Sequence, residues 1–148
     1  MQLTPLSWDQ RHTVNASVSY SGPSYGGSFI FQYGSGMPYT PRRTEDITSL
    51  ITNSQFKPNT VNADMRLYKT LSFGVLDFIL FLRVFNVFDT MNELGVFDDT
   101  GSAGYTTDLE RIKAQNTPEY VNTIEDYFTV PTFYSEPRRV EIGVSVEF

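Results

Sequence analysis

A single histidine and no cysteine limit the chemistry open to this chain. Without thiols there are no disulfides, thiolate metal sites or cysteine nucleophiles, and one imidazole cannot make a multi-histidine metal centre. His12 stands beside Asp9 and Arg11. A serine-histidine-aspartate relay needs a nucleophile held against the ring, and no hydroxyl residue is marked out for it. The expectation is a hydrogen-bonding role at a strand end, with no catalytic residue and no enzyme. Asp98, Asp99 and Asp108 carry oxygens of the kind that hard cations take. Their spacing departs from a calcium-binding loop, so they read as solvated acids, and no metal or cofactor is assigned. Gly34-Ser35-Gly36 lacks the lysine of a phosphate loop, and Arg42-Arg43 suit either an external phosphate or plain solvation.

The remaining candidates are six polar residues, Asn62, Asp64, Arg66, Arg83, Arg139 and Glu141, which recur at every second position of segments that are otherwise apolar. That spacing puts them on one side of β-strands. Five segments alternate in this way, at about 11–21, 25–34, 59–70, 76–88 and 138–148. Val14, Ala16, Val18 and Tyr20 share one face of the first; Tyr25, Gly27, Phe29, Phe31 and Tyr33 one face of the second. Val61, Ala63, Met65 and Leu67 follow in the third, then Phe78, Leu80, Leu82 and Val84 in the fourth. Val140, Ile142, Val144, Val146 and Phe148 end the series. In the fourth, Ile79 and Phe81 contaminate the polar side. All eight prolines fall outside these runs, as sheet pairing requires.

The connections alternate between short (21–24, and 71–76 with Gly74) and long (34–59 and 89–137). An antiparallel meander gives that pattern when its tight turns lie at one end. Thr107-Asp108-Leu109-Glu110 reads as a capping box opening a short helix near 108–114. Thr117-Pro118 opens another, near 118–127, with Val121, Ile124 and Phe128 at helical spacing. Residues 92–137 hold nine acids against Arg111 and Lys113, a net charge of −7 within a chain whose net charge is −6. Arg42, Arg43 or a divalent cation would have to offset it.

At 148 residues the chain is one domain by size. Its acidity argues against nucleic acid. Charged residues make up 19%, below the usual ~25%. The longest apolar run, Phe78 to Leu82, is far short of the ~20 residues of a membrane helix. Met1 to Leu6 does not read as a signal peptide, which by itself points to the cytoplasm. Two all-β architectures fit. One is a soluble sandwich, a binding or adhesion module with the acidic loop as its contact surface. The other is part of a transmembrane β-barrel, with long strands, aromatics at their ends and asymmetric loops. Five strands cannot close such a barrel, so residues 1–148 would be its C-terminal segment, with the upstream strands and the signal peptide missing.

Trp8-Asp9-Gln10-Arg11-His12, Gly34-Ser35-Gly36-Met37-Pro38-Tyr39-Thr40-Pro41 and Val84-Phe85-Asn86-Val87-Phe88-Asp89 stand in an order that resembles the C-terminal barrel strands of TonB-dependent outer-membrane receptors of Bacteroidetes type. In the third motif Val87 replaces the usual Leu. Phe97-Asp98-Asp99-Thr100-Gly101, Gly104-Tyr105 and Tyr134-Ser135-Glu136-Pro137-Arg138-Arg139-Val140 extend the resemblance, and Phe148 is the terminal aromatic. The resemblance implies a gated barrel of about 22 strands in the bacterial outer membrane, plugged by an N-terminal domain and energised by a TonB complex reached only through that missing part. It implies uptake of an unknown small substrate, contact with the lipid bilayer and lipopolysaccharide, and recognition of Phe148 by the barrel-assembly machinery. The six polar residues would then form a lumen-facing wall.

Overall fold

The computed structural model describes residues 4–42, 52–115 and 124–148. Two compact units divide the chain: Thr13–Gly34, Val61–Met91 and Glu136–Phe148 form one; Met1–His12, Ser35–Thr60 and Asn92–Ser135 form the other.

The first unit is a five-stranded antiparallel sheet. Its strands are β1 (Thr13–Ser21), β2 (Tyr25–Gly34), β5 (Thr60–Phe73), β6 (Leu76–Phe85) and β7 (Arg139–Glu147). They lie side by side in that order, so each of the five long strands pairs with the next along the chain. The short strands β3 (Pro38–Tyr39) and β4 (Gln55–Phe56) form a separate ladder inside the first long connection, which the sequence pattern does not announce. β5 runs three residues beyond its expected end, because Phe73 still pairs with Leu76 across a two-residue turn. Gly74 takes that turn at φ 68°, a left-handed conformation that costs glycine nothing. β6 stops three residues short of expectation. Asn86 turns the chain at φ 52° and ends the extended run.

Register sorts the side chains. Leu80 faces Val144, Leu82 faces Ile142, and Leu67 faces Leu82. Val18 faces Phe29, and Ala16 faces Phe31. Directly opposed residues share a face, so one side of the sheet is apolar across all five strands, with Lys69, opposite Leu80, as its charged exception. Residues on this side stand open: Val18 is 71% exposed, Ile142 81% and Val144 58%. Among the described residues only Ala63 and Ala103 are fully buried apolar side chains. The described residues contain no second sheet beyond the β3–β4 ladder, so a sandwich core has no second layer.

Aromatics collect at the short-turn end of the apolar side. Tyr20 packs on Tyr25 with ring centroids 5.5 Å apart, and Phe73 on Phe78 at 5.8 Å. The Gly22 and Gly74 turns and the end of β7 share this end, since Ser21 opposes Gly26 and Asp77 opposes Glu147.

The second unit holds α1 (Thr107–Gln115), α2 (Ile124–Phe128) and a 3-10 turn at Pro131–Phe133. Phe97 packs against Phe133 at 5.1 Å and Phe128 at 6.4 Å, a small aromatic nucleus. The expected capping box does not form: the N-cap is Thr106, one residue earlier, which puts Leu109 where the box needs an acid. Thr107 is already helical, and the Asp108 amide donates to Thr106 Oγ1 (3.2 Å). Asp99, eight residues upstream, accepts the Thr107 amide (2.6 Å) and so does the work assigned to the box. The expected Thr117-Pro118 start of the second helix, with Val121, lies outside the described residues, as does Arg43.

Gly143 shows how closely the sheet is fitted: a Cβ there would stand 2.3 Å from the Phe81 ring. Gly143→Val should therefore displace Phe81 and cost about 1–3 kcal/mol, read as a lower urea midpoint. The double variant with Phe81→Ala should recover part of the loss.

Candidate functional site: the polar face of the sheet

The six residues singled out by alternation all lie on the side opposite the apolar one. Arg66 directly opposes Arg83, and Arg83 opposes Glu141, so three charged residues form one row across β5, β6 and β7. Arg139 opposes Phe85 in the next row. Glu141 is shared between Arg83 (3.6 Å) and Arg139 (3.4 Å), and Arg139 also lies 3.9 Å from Glu136. The guanidinium of Arg83 stacks over the Phe81 ring at 4.9 Å and that of Arg139 over Phe85 at 4.5 Å, contacts that favour a cation over a π-face. Arg66 has no ionic partner among the described residues.

Asn62 and Asp64 serve a different purpose. Asp64 Oδ1 accepts the backbone N–H of Asn86 (3.0 Å) and the Asn62 amide (3.3 Å). Asn86 is buried, and its side chain donates to the carbonyls of Thr90 and Glu136 (3.0 Å each) and accepts the Thr90 amide (3.0 Å). Three residues on, Asp89 takes the Arg138 backbone N–H (2.8 Å) and its guanidinium (3.2 Å). The Asn86-Val87-Phe88-Asp89 motif is thus a staple that joins the end of β6 to the approach to β7. The hydrogen bond from the Arg138 amide, then that from its side chain, holds the Asp89 carboxyl below the ordinary carboxylate range. Phe148 lies just past β7, fully exposed.

Alternation also places Tyr68 and Phe81 on this face, without marking them as site residues. Tyr68 opposes Phe81, and their rings lie against Gly26 and Gly143, where a Cβ would come within 2.5 and 2.3 Å. Tyr68 also exchanges a hydrogen bond with Ser21 (2.9 Å). The available signal was the glycine inside each strand, which marks a close approach.

In the second unit, Asp98, Asp99 and Asp108 converge on Arg42. Its Nε lies 3.4 Å from Asp98, its Nη2 3.9 Å from Asp99 and in contact with Asp108, and its backbone N–H donates to the Asp98 carbonyl (2.7 Å). Arg111 reaches the other oxygen of Asp108 (2.6 Å). The positive charge offered to these acids is therefore a side chain, and no trio of His, Cys, Asp or Glu among the described residues is arranged for a metal ion. His12 acts through its backbone, exchanging hydrogen bonds with Ser35. Asp99 is nearly buried, with Oδ1 unpartnered. Burial pushes its carboxyl upward, but hydrogen bonds from Thr107 and Thr106 outweigh that, and it sits below the ordinary value.

Two outcomes follow from these contacts. Asn86→Ala removes three side-chain hydrogen bonds worth about 0.5–1.5 kcal/mol each and places alanine at positive φ. It should destabilise the sheet unit by roughly 2–4 kcal/mol, while Asn86→Gly, which keeps the backbone conformation, should lose less. Urea midpoints distinguish the two. Carboxyls depressed by folding stabilise the fold above their unfolded pKa and lose that contribution as pH falls through the folded value. Unit two should therefore hold its structure at pH 5 and loosen below about 4, seen as faster exchange of the Thr107 amide, and Asp99→Asn should flatten that acid limb. No family model, curated protein or solved structure matches the chain.

Proposed function

We propose that this chain is the C-terminal part of the β-barrel of a TonB-dependent outer-membrane receptor, one wall of a gated pore that takes up a scarce small substrate. The observation that carries the reading is the continuous exposed apolar face of a sheet built from long strands. Exposed apolar patches on water-soluble monomers seldom exceed a few hundred Å². Here the described residues form no second sheet against the apolar side, and Ile142 and Val144 are mostly in the open. A bilayer supplies the covering layer.

Four further features support it. β1 and β7 are 9 residues long, β2 and β6 10, and β5 14, and a tilted strand crosses the hydrocarbon with about 9–11. The Tyr20–Tyr25 and Phe73–Phe78 pairs stand where an aromatic girdle would meet the headgroups. Lys69 has the long stem that lets an ammonium reach the interface from an apolar surface. Finally, β1 and β7 are unpaired sheet edges, and unpaired backbone groups in hydrocarbon cost several kcal/mol each, so neighbouring strands must complete the wall. In this reading the polar face looks into the lumen, the acidic loop belongs to the extracellular side near lipopolysaccharide, and the chain by itself moves no substrate.

The test separates the faces. Chain refolded with liposomes should float with them and give a β-sheet circular dichroism spectrum. Ile142→Asp or Val144→Asp should abolish flotation, since a charge on the lipid side is destabilising, most of all toward the midplane. Ser145→Asp, on the opposite side, should be tolerated. A chain that is monomeric in detergent-free buffer and indifferent to Ile142→Asp overturns the reading in favour of a soluble module.

A further inference from the structure

We infer that Arg66 and Arg83 form a binding site for a compact oxyanion, a carboxylate or phosphate group carried by a small molecule, on the polar face of the sheet. The site goes beyond the uptake reading by naming a ligand chemistry, and it rests on that reading only for calling the ligand a transported substrate. Two guanidinium groups are placed on directly opposed residues of adjacent strands. Like charges so placed repel and weaken the sheet, unless an anion lies between them.

Among the described residues no acid is in ionic contact with both. The acid in ionic contact with Arg83 is Glu141, at 3.6 Å, and it is divided between Arg83 and Arg139. Asp64, two residues before Arg66 on the same face, has Oδ1 committed to the Asn86 and Asn62 amides. Arg66 is exposed and has no ionic partner among the described residues.

One of the two is also held ready. Arg83 is stacked over Phe81, whose ring is seated against Gly143. Opposite Phe81 is Tyr68, next to Arg66 on this face, seated against Gly26 and tied to Ser21. The guanidinium fork suits the two oxygens of a carboxylate or phosphate, and a positioned fork loses less entropy on binding than a free one. The seated rings offer an apolar floor to the rest of such a ligand.

The test uses the whole chain in zwitterionic detergent, with ¹⁵N-labelled arginine, titrated separately with inorganic phosphate and with citrate. The Nε–H resonances of Arg66 and Arg83 should shift together and saturate, while that of Arg111, in the other unit, stays in place. Sodium chloride at equal ionic strength should not reproduce the effect. Arg66→Gln and Arg83→Gln should each weaken binding tenfold or more, consistent with charged hydrogen bonds worth about 1.5–3 kcal/mol. Arg66→Lys keeps the charge and should keep phosphate better than citrate, because it loses the bidentate fork. A linear, unsaturated shift in the unaltered chain, an equal response of Arg111, or undiminished binding in Arg66→Gln overturns the proposal. Flotation of the same variants is read separately. Binding without flotation leaves the oxyanion site and removes the membrane reading; flotation without binding does the reverse.

Discussion

In an antiparallel sheet a slip of one residue exchanges the two sides of a strand. Everything distinctive about this chain depends on that slip not occurring. With Leu82 set against Ile142 and Val18 against Phe29, the apolar residues of five strands merge into one surface, and the charged ones meet in a row on the other. Among the described residues hardly any side chain is fully withdrawn from solvent, so a buried core does not enforce the arrangement. What pins the register instead is local: the Gly74 turn, the Asn86 staple, and rings seated on strand glycines. Each of these fixes a pairing offset at one point, and the hydrogen-bonded ladder carries it along the strand.

The five long strands and their order were legible because period-two alternation is a direct readout of which side each residue faces. Their ends were less so. Apolar residues continue past Phe85 into Val87 and Phe88, but Asn86 adopts positive φ in response to partners at Asp64, Thr90 and Glu136, two of which lie far off in sequence. The capping of α1 failed for a related reason. A local motif predicts a cap within four residues, whereas Asp99 reaches the helix start from an earlier turn. The ladder of Pro38–Tyr39 with Gln55–Phe56 is too short to carry any period.

The polar wall was found by type and spacing, yet its internal division was not. Sequence could group Asn62, Asp64, Arg66, Arg83, Arg139 and Glu141 on one face. It could not show that Asn62 and Asp64 are bonded to each other and, through Asp64, to the Asn86 backbone N–H while Arg66 and Arg83 stand opposed, because that depends on cross-strand offset. Likewise the acids of the second long connection pointed to a need for positive charge, and Arg42 meets it from a segment more than fifty residues away.

The Asp89–Arg138 clamp joins residues 49 apart in sequence, and so makes a doorway whose width does not depend on what lies beyond it. Once the two posts are fixed, lengthening the intervening chain is cheap: doubling a flexible loop costs only about 0.6 kcal/mol. Insertions, deletions and changes of composition between the posts should therefore leave strand pairing unaltered. The same sheet can carry unrelated excursions in different descendants, with diversification confined to one side of the clamp and conservation demanded on the other.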